Sequence, residues 1–347
     1  MKKPDWRITL NGKEVERRRF MGLSTTDNRG LEVDTLVISF TDQDGLLAIP
    51  QKGVELGVFV GYEGDAELID RGVFVVDCVR HTGPPDVLEV TAKSARLSQK
   101  NGLDNVTTEV GAGPKLKQRR ERSWEAITLG DLVRQIAAPY GLEVRVSEAL
   151  EEHFIAHMDQ TESDGHFLTR LAHDLDAVAT VKAGKLLFLR AGTGETAEGE
   201  AIEPITIKRQ EGDQHTWEAA DKGRWTGCSA HWHDYASGKR ERVDVGDDGY
   251  RKQLPRTYPS EAAAREAAQA EFQRLSRGLA TMQLDVADAD PALFAETPLT
   301  LEGWLKPEID HDRWITTRVT LRMDPTRGFS AAVEAEDRPQ DGSGTAE

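Results

Sequence analysis

Residues 70–92, DRGVFVVDCVRHTGPPDVLEVTA, and residues 312–335, DRWITTRVTLRMDPTRGFSAAVEA, share a layout but little identity. Each opens on an Asp-Arg pair, runs through a strand-like stretch, turns at a proline and runs back. The turns are Gly83-Pro84-Pro85-Asp86 and Asp324-Pro325-Thr326-Arg327-Gly328, residue types that pre-set turn dihedrals. Ahead of each hairpin stands a short strand pattern with a glycine kink, GVELGVFVGYE at 53–63 and TPLTLEGWLKP at 297–307. Short strand, gap, Asp-Arg pair and long hairpin thus occur twice. This predicts the duplication of one small β-barrel.

The flanking sequence extends both copies. Trp6, Ile8 and Leu10 alternate before Asn11-Gly12, a favoured two-residue hairpin turn; Leu36, Ile38 and Phe40 alternate in a second run. Residues 1–110 therefore read as an N-terminal barrel. Residues 111–123, GAGPKLKQRRERS, are charged and begin with Gly and Pro. No aromatic residue interleaves with the basic ones, so an exposed linker is expected and not a nucleic-acid patch. Residues 124–199 read as a smaller α+β middle domain. Thr128 can cap a helix carrying Leu132, Val133 and Ile136, ended by Pro139 and Gly141. Ser163 can cap a second, with Asp164 in its first turn and Phe167, Leu168, Leu171 and Leu175 as its buried stripe. A hairpin turning at Ala183-Gly184 follows. Residues 200–336 return to strands as a C-terminal barrel. It is interrupted by a helix over 260–279, capped by Ser260, lined by Ala264, Ala268, Phe272, Leu275 and Leu279, and ended by Gly278. Residues 337–347 lack large apolar side chains and are expected to be disordered. The fold class is mainly β with an α+β insertion: two related β-barrel domains plus a smaller helix-containing middle domain.

Composition narrows the function. Apolar residues make up 38% and charged residues 30%, as in a chain that buries true cores. No apolar run approaches the roughly 18 residues needed to span a bilayer, and no apolar segment follows Lys2 and Lys3, so neither membrane anchoring nor a signal peptide is expected. Cys78 and Cys228 have no CxxC spacing and exclude a cysteine zinc site. A net charge of −16 disfavours a surface that grips phosphates, but suits one past which nucleic acid slides.

Histidine-rich stretches are the chemical temptations. His166 and His173 would lie about 10.5 Å apart along a helix, too far to share a metal. The residue four beyond His166 is Arg170, a cation, and His157 with Asp159 has no third ligand at fixed spacing. His231 and His233, with Asp234 beside them, fall on one face of a strand in the manner of a two-His-one-carboxylate site. A metal-dependent hydrolase using His231 and His233 is the alternative function. No GxSxG, phosphate loop or Walker lysine is present. The expectation is no catalytic, cofactor-binding or metal residue, no cofactor and no enzyme.

Several long segments in order carry a resemblance. They are LAIPQKGVELGVFVGYEG, DRGVFVVDCVRHTGPPDVLEVTAKSARL, RERSWEAITLGDLVRQIAAPYGL, HMDQTESDGHFLTRLAHDLDAVATVKAGKLLF and EAAAREAAQAEFQRLSRGLATMQL. Together, from about residue 5 to 336, they resemble the phage late control D family, hubs at the tip of contractile phage tails, with VgrG-like relatives in type VI secretion. The resemblance implies a homotrimer whose six related barrels make a pseudo-sixfold ring between a sixfold tail tube and a threefold spike. It implies tube and baseplate partners, DNA only in transit through a channel, a place at the virion tail tip and assembly in the host cytoplasm. The larger relatives continue into a needle. This chain ends at 347, so a separate spike polypeptide is expected. A transcription regulator fits badly, since the charge is acidic and no basic recognition helix is visible.

Overall fold

Alternation of apolar and polar residues sets the strands, and the inward side chains of the large sheet meet in one cluster. The computed structural model describes residues 2–94, 119–182, 185–196, 199–210, 212–219, 225–276, 280–326 and 328–338. The first strands are β1 (Pro4–Leu10), β2 (Lys13–Glu14), β3 (Phe20–Asn28), β4 (Thr35–Thr41), β5 (Glu55–Tyr62), β6 (Ile69–Thr82) and β7 (Val87–Ser94). They lie in the order β3-β4-β7-β6-β5-β1-β2. Ile8, Leu36, Ile38, Val58 and Val60 are fully buried, as the period of two requires.

The middle unit follows as β8 (Arg122–Thr128), α1 (Leu129–Ala137), β9 (Glu143–Val146), α2 (Glu148–Glu151), β10 (Phe154–Gln160), α3 (Asp164–Asp174), β11 (Ala177–Lys182) and β12 (Lys185–Arg190). Thr128 Oγ1 accepts from the Asp131 N–H at 3.3 Å and Ser163 Oγ from the His166 N–H at 3.4 Å, the two expected caps. Leu132, Val133, Ile136, Phe167, Leu168 and Leu171 form one buried cluster, with Leu175 half-buried beside it. Residues 119–123, read as the end of a linker, are built into this unit. Arg119 bridges to Ser163, and Arg122 and Ser123 begin β8. The buried Asp164 carboxylate attracts Arg120 and Arg122, so this part of the charge run has a fixed partner. Residues 111–118 and the Ala183-Gly184 turn lie outside the described residues.

The remaining elements are β13 (Ile205–Lys208), β14 (Gln214–Ala219), β15 (Gly227–Asp234), β16 (Lys239–Gly246), β17 (Arg251–Tyr258), α4 (Glu261–Ser276), β18 (Ala280–Val286), β19 (Pro298–Glu302), β20 (Trp314–Asp324) and β21 (Gly328–Asp337). Ser260 Oγ accepts from the Ala263 N–H at 3.2 Å and caps α4. Ala264 and Ala268 are buried against Cys228, Ala230 and Val243, with Phe272 and Leu275 alongside. Gly278, Leu279, Arg327 and residues 339–347 lie outside the described residues. Asp337 closes β21 and the Arg338 N–H donates to Arg313 O at 2.8 Å, so the start of the expected tail is held.

The duplication appears as strand order. In the C-terminal half the sheet runs β14-β18-β21-β20-β19-β13; in the N-terminal half it runs β3-β4-β7-β6-β5-β1. With the two-residue β2 set aside, each remaining strand of the first half matches, in chain order, the strand of the same rank in the other. The three-stranded sheet β16-β15-β17 and α4 are inserted between β14 and β18, where the first half has only residues 29–34. One departure is local: β13 pairs parallel with β19, whereas β1 pairs antiparallel with β5. The halves are not separate bodies. β20 outruns β19, and its outer part takes β3 as partner, from Arg318↔Asn28 to Met323↔Leu23. The result is a 13-stranded sheet over one hydrophobic cluster containing residues of both halves.

Candidate functional site

The histidines nominated from sequence do not converge. His166 and His173 are exposed on α3. His173 reaches toward Glu271 at 3.9 Å and His157 toward Asp159 at 3.4 Å, both ordinary ion-pair geometry. His231 and His233 do share a face of β15, but His231 lies opposite Arg242 in the ladder and Nδ1 contacts Gln253 at 3.4 Å. Burial, then Arg240 and Arg242, push its pKa down. Those cations would repel a metal. His233 packs edge-on against Tyr235, and Asp234 accepts from the Ala236 N–H and the Ser237 hydroxyl at 2.9 and 2.6 Å, closing a turn. The alternative of a hydrolase on His231 and His233 is therefore withdrawn. Among the described residues no group of three or more His, Cys, Asp or Glu is placed to hold a metal ion.

What the fold does assemble is a seam of buried charge where the two halves and the middle unit meet. Arg29, just past β3, pairs with Glu296 and with Glu336 of β21. Lys182, at the end of β11, lies 3.0 Å from Asp27 and 2.5 Å from Asp34. Arg71 donates to Leu293 O at 2.8 Å. Burial raises the Asp34 pKa, with Asp27 adding to it and Lys182 opposing; burial likewise raises Glu296 against the pull of Arg29. Buried charges of this kind persist only when paired and hydrogen-bonded. The seam orients three units relative to one another. Sequence reading missed it because each residue is an ordinary surface type until distant elements close over it.

The second assembled feature is a pair of bare strand edges. Every residue of β14 is exposed, including Trp217 at 37%. β6 pairs with β7 as far as Thr82, but with β5 only through its first half. Among the described residues the other edge of 77–82 has no strand beside it. Near it, residues 42–54 expose Leu46 at 77% and Ile49 at 62%. Unpaired ladder edges and exposed aliphatic side chains are the chemistry of protein assembly, not of a reaction.

Comparison with known proteins agrees. Residues 114–326 match the family model described as phage tail baseplate hub (GPD). A "Probable baseplate hub protein" of Escherichia phage P2 is 34% identical over 382 residues, covering 97% of this chain and 94% of that one. Its counterpart in Escherichia phage 186 is 33% identical, covering 96% and 92%. A tail protein from Neisseria meningitidis MC58 has the same fold, with a TM-score of 0.66 at 11% identity over 99% of this chain and 98% of that chain. That family is structural and not enzymatic. Matched by that family model over residues 114–326 and by relatives one-third identical along nearly its whole length, the chain belongs to the phage tail baseplate hub family.

Proposed function

We propose that three copies of this chain form the hub at the tip of a contractile tail and adapt a sixfold tube to a threefold spike. The observation that carries this is the repeated strand order. Two quasi-equivalent halves per chain offer six similar positions when three chains close a ring, and threefold symmetry is kept elsewhere. Residues 1–110 and 200–336 would supply the ring positions, and residues 124–199 the unit between them. The partners on this reading are tail tube and baseplate proteins and a separate spike protein. DNA passes the hub only in transit, helped by the net charge of −16 per chain, which repels phosphates from a channel wall. Assembly would take place in the host cytoplasm before incorporation at the tail tip. The test is a copy count: native mass spectrometry of the hub, and imaging of the particle tip, should give three. One or six copies at the tip would sink the reading.

A further inference from the structure

Inside the chain, one long hairpin already shows how halves join. Beyond the bulge at Thr316/Arg318, β20 leaves β19 and pairs with β3. The equivalent hairpin strand, β6, has its bulge at Val76/Cys78, and among the described residues no strand lies along the edge beyond it. The strand equivalent to β3 is β14, and among the described residues it too has a strand on one side only. One pairing that the fold makes once is therefore left unmade once, with both of its strands in the same molecule. A strand edge of this kind is a template for another chain.

Resting on the trimer reading above, we infer that the outer half of β6 in one copy pairs antiparallel with β14 of the next, in the register of the internal β20–β3 join. The register follows from shared neighbours. Val79 faces Val90, which faces Ile38, which faces Leu23. In the other half Val319 faces Val333, which faces Leu284, which faces His215. Val79 thus stands for Val319, and His215 for Leu23. Since Val319 pairs with Asp27, Thr320 with Thr26 and Leu321 with Thr25, the pairs between copies are Val79↔Ala219, Arg80↔Glu218 and His81↔Trp217.

The side chains suit that register. Arg80, 70% exposed, comes opposite Glu218, and opposite charges facing each other across a ladder are favourable. His81 and Trp217 lie on the inner face, since their ladder partners Leu88 and Met282 are buried. Thr25, in the place equivalent to Trp217, is only 2% exposed because β20 covers it. Trp217 is left at 37% for want of that cover.

A second contact repeats in the same way. Residues 287–297, between β18 and β19, dock on the first half: the Tyr62 hydroxyl donates to Ala289 O at 2.6 Å, and Leu293 is buried. Residues 42–54 hold the same place between β4 and β5, yet expose Leu46 and Ile49. Leu305, just past β19 as Tyr62 ends β5, is 88% exposed. In the ring these apolar side chains cover one another. The contact is head-to-tail, so it is not a two-fold dimer; it closes a ring of three when each copy is turned a third of a revolution from the last.

Cysteine pairs in the full chain test the register. On a Cys78→Ser background, Arg80→Cys with Glu218→Cys should oxidise to a covalent ladder ending at three chains. It should do so at least tenfold more than the off-register pair Arg80→Cys with Thr216→Cys. Arg80→Glu or Glu218→Arg alone should weaken trimer formation about tenfold, and the two together should restore it. If native mass spectrometry shows a trimer but the in-register pair forms no ladder or only an intrachain bond, this strand pairing is wrong and the trimer stands. If the parent chain stays monomeric at every concentration, both are wrong.

Discussion

β3 and β14 hold the same place in their halves and meet different surroundings. β3 is flanked by β4 and β20 and buries Leu23, Thr25 and Asn28; among the described residues β14 is flanked by β18 alone and buries no side chain. Their alternation differs little, so the contrast does not come from local propensity. It comes from connectivity. A single chain with two equivalent hairpins can bring only one of them to an equivalent edge within itself. The join that is made then gathers the buried charges, since Arg29, Asp27 and Asp34 all lie at or just beyond β3. One half is finished by folding, and the other is left for assembly.

The largest test of that contrast is to break the internal join. Leu321→Pro removes a ladder donor and a fully buried side chain opposite Thr25, and should cost about 5 kcal/mol or more. Urea unfolding of the full chain measures it. Thr216→Pro on β14 should cost far less, and equal losses would mean that the two edges are equally important to the single chain. Next comes the seam: Arg29→Ala leaves Glu296 and Glu336 without their shared cation, for an expected loss of about 3–5 kcal/mol.

Acid response should separate the seam from the inserted unit. Glu296 has its folded pKa raised above the ordinary 4.5, so the folded state takes up a proton first. Its contribution therefore improves as pH falls through the range just above 4.5, and wild type should gain on Glu296→Gln there. Glu271 is the reverse. Burial raises its pKa, but Arg274 and Lys252 outweigh that and lower it. Its contribution is complete above 4.5 and fades as pH falls below, so wild type should lose ground to Glu271→Gln. Parallel behaviour of the two variants in pH-dependent thermal melts would contradict both assignments.

The smallest effects are expected at the bare edges. Arg80→Ala and Glu218→Ala should change the stability of the monomer by no more than about 0.5 kcal/mol, as should His166→Ala and His173→Ala on the exposed face of α3. A loss several times larger at Arg80 or Glu218 would show that these edges are already covered in the isolated chain.

Much of the fold was legible from local pattern. The two proline hairpins, the caps at Thr128, Ser163 and Ser260, and the stripe of Phe167, Leu168 and Leu171 follow from turn chemistry and periodicity, which act over a few residues. The candidate site was not legible in the same way. His231 and His233 stood out because histidines are conspicuous in a strand, yet the cross-strand Arg242 that spoils the site lies on another strand. Asp164 read as a helix-dipole carboxylate; in the structure it is fully buried and accepts from Tyr140 and Gln160.

By itself the sequence determined which segments become strands or helices, which of their faces turn inward, and that one arrangement occurs twice, because period, caps and turns are written in neighbouring residues. Only the tertiary structure decided which of two equivalent edges is covered and where charge is buried. Those outcomes depend on pairs as distant as Arg29 and Glu336, 307 positions apart, which meet only after β20 has chosen β3.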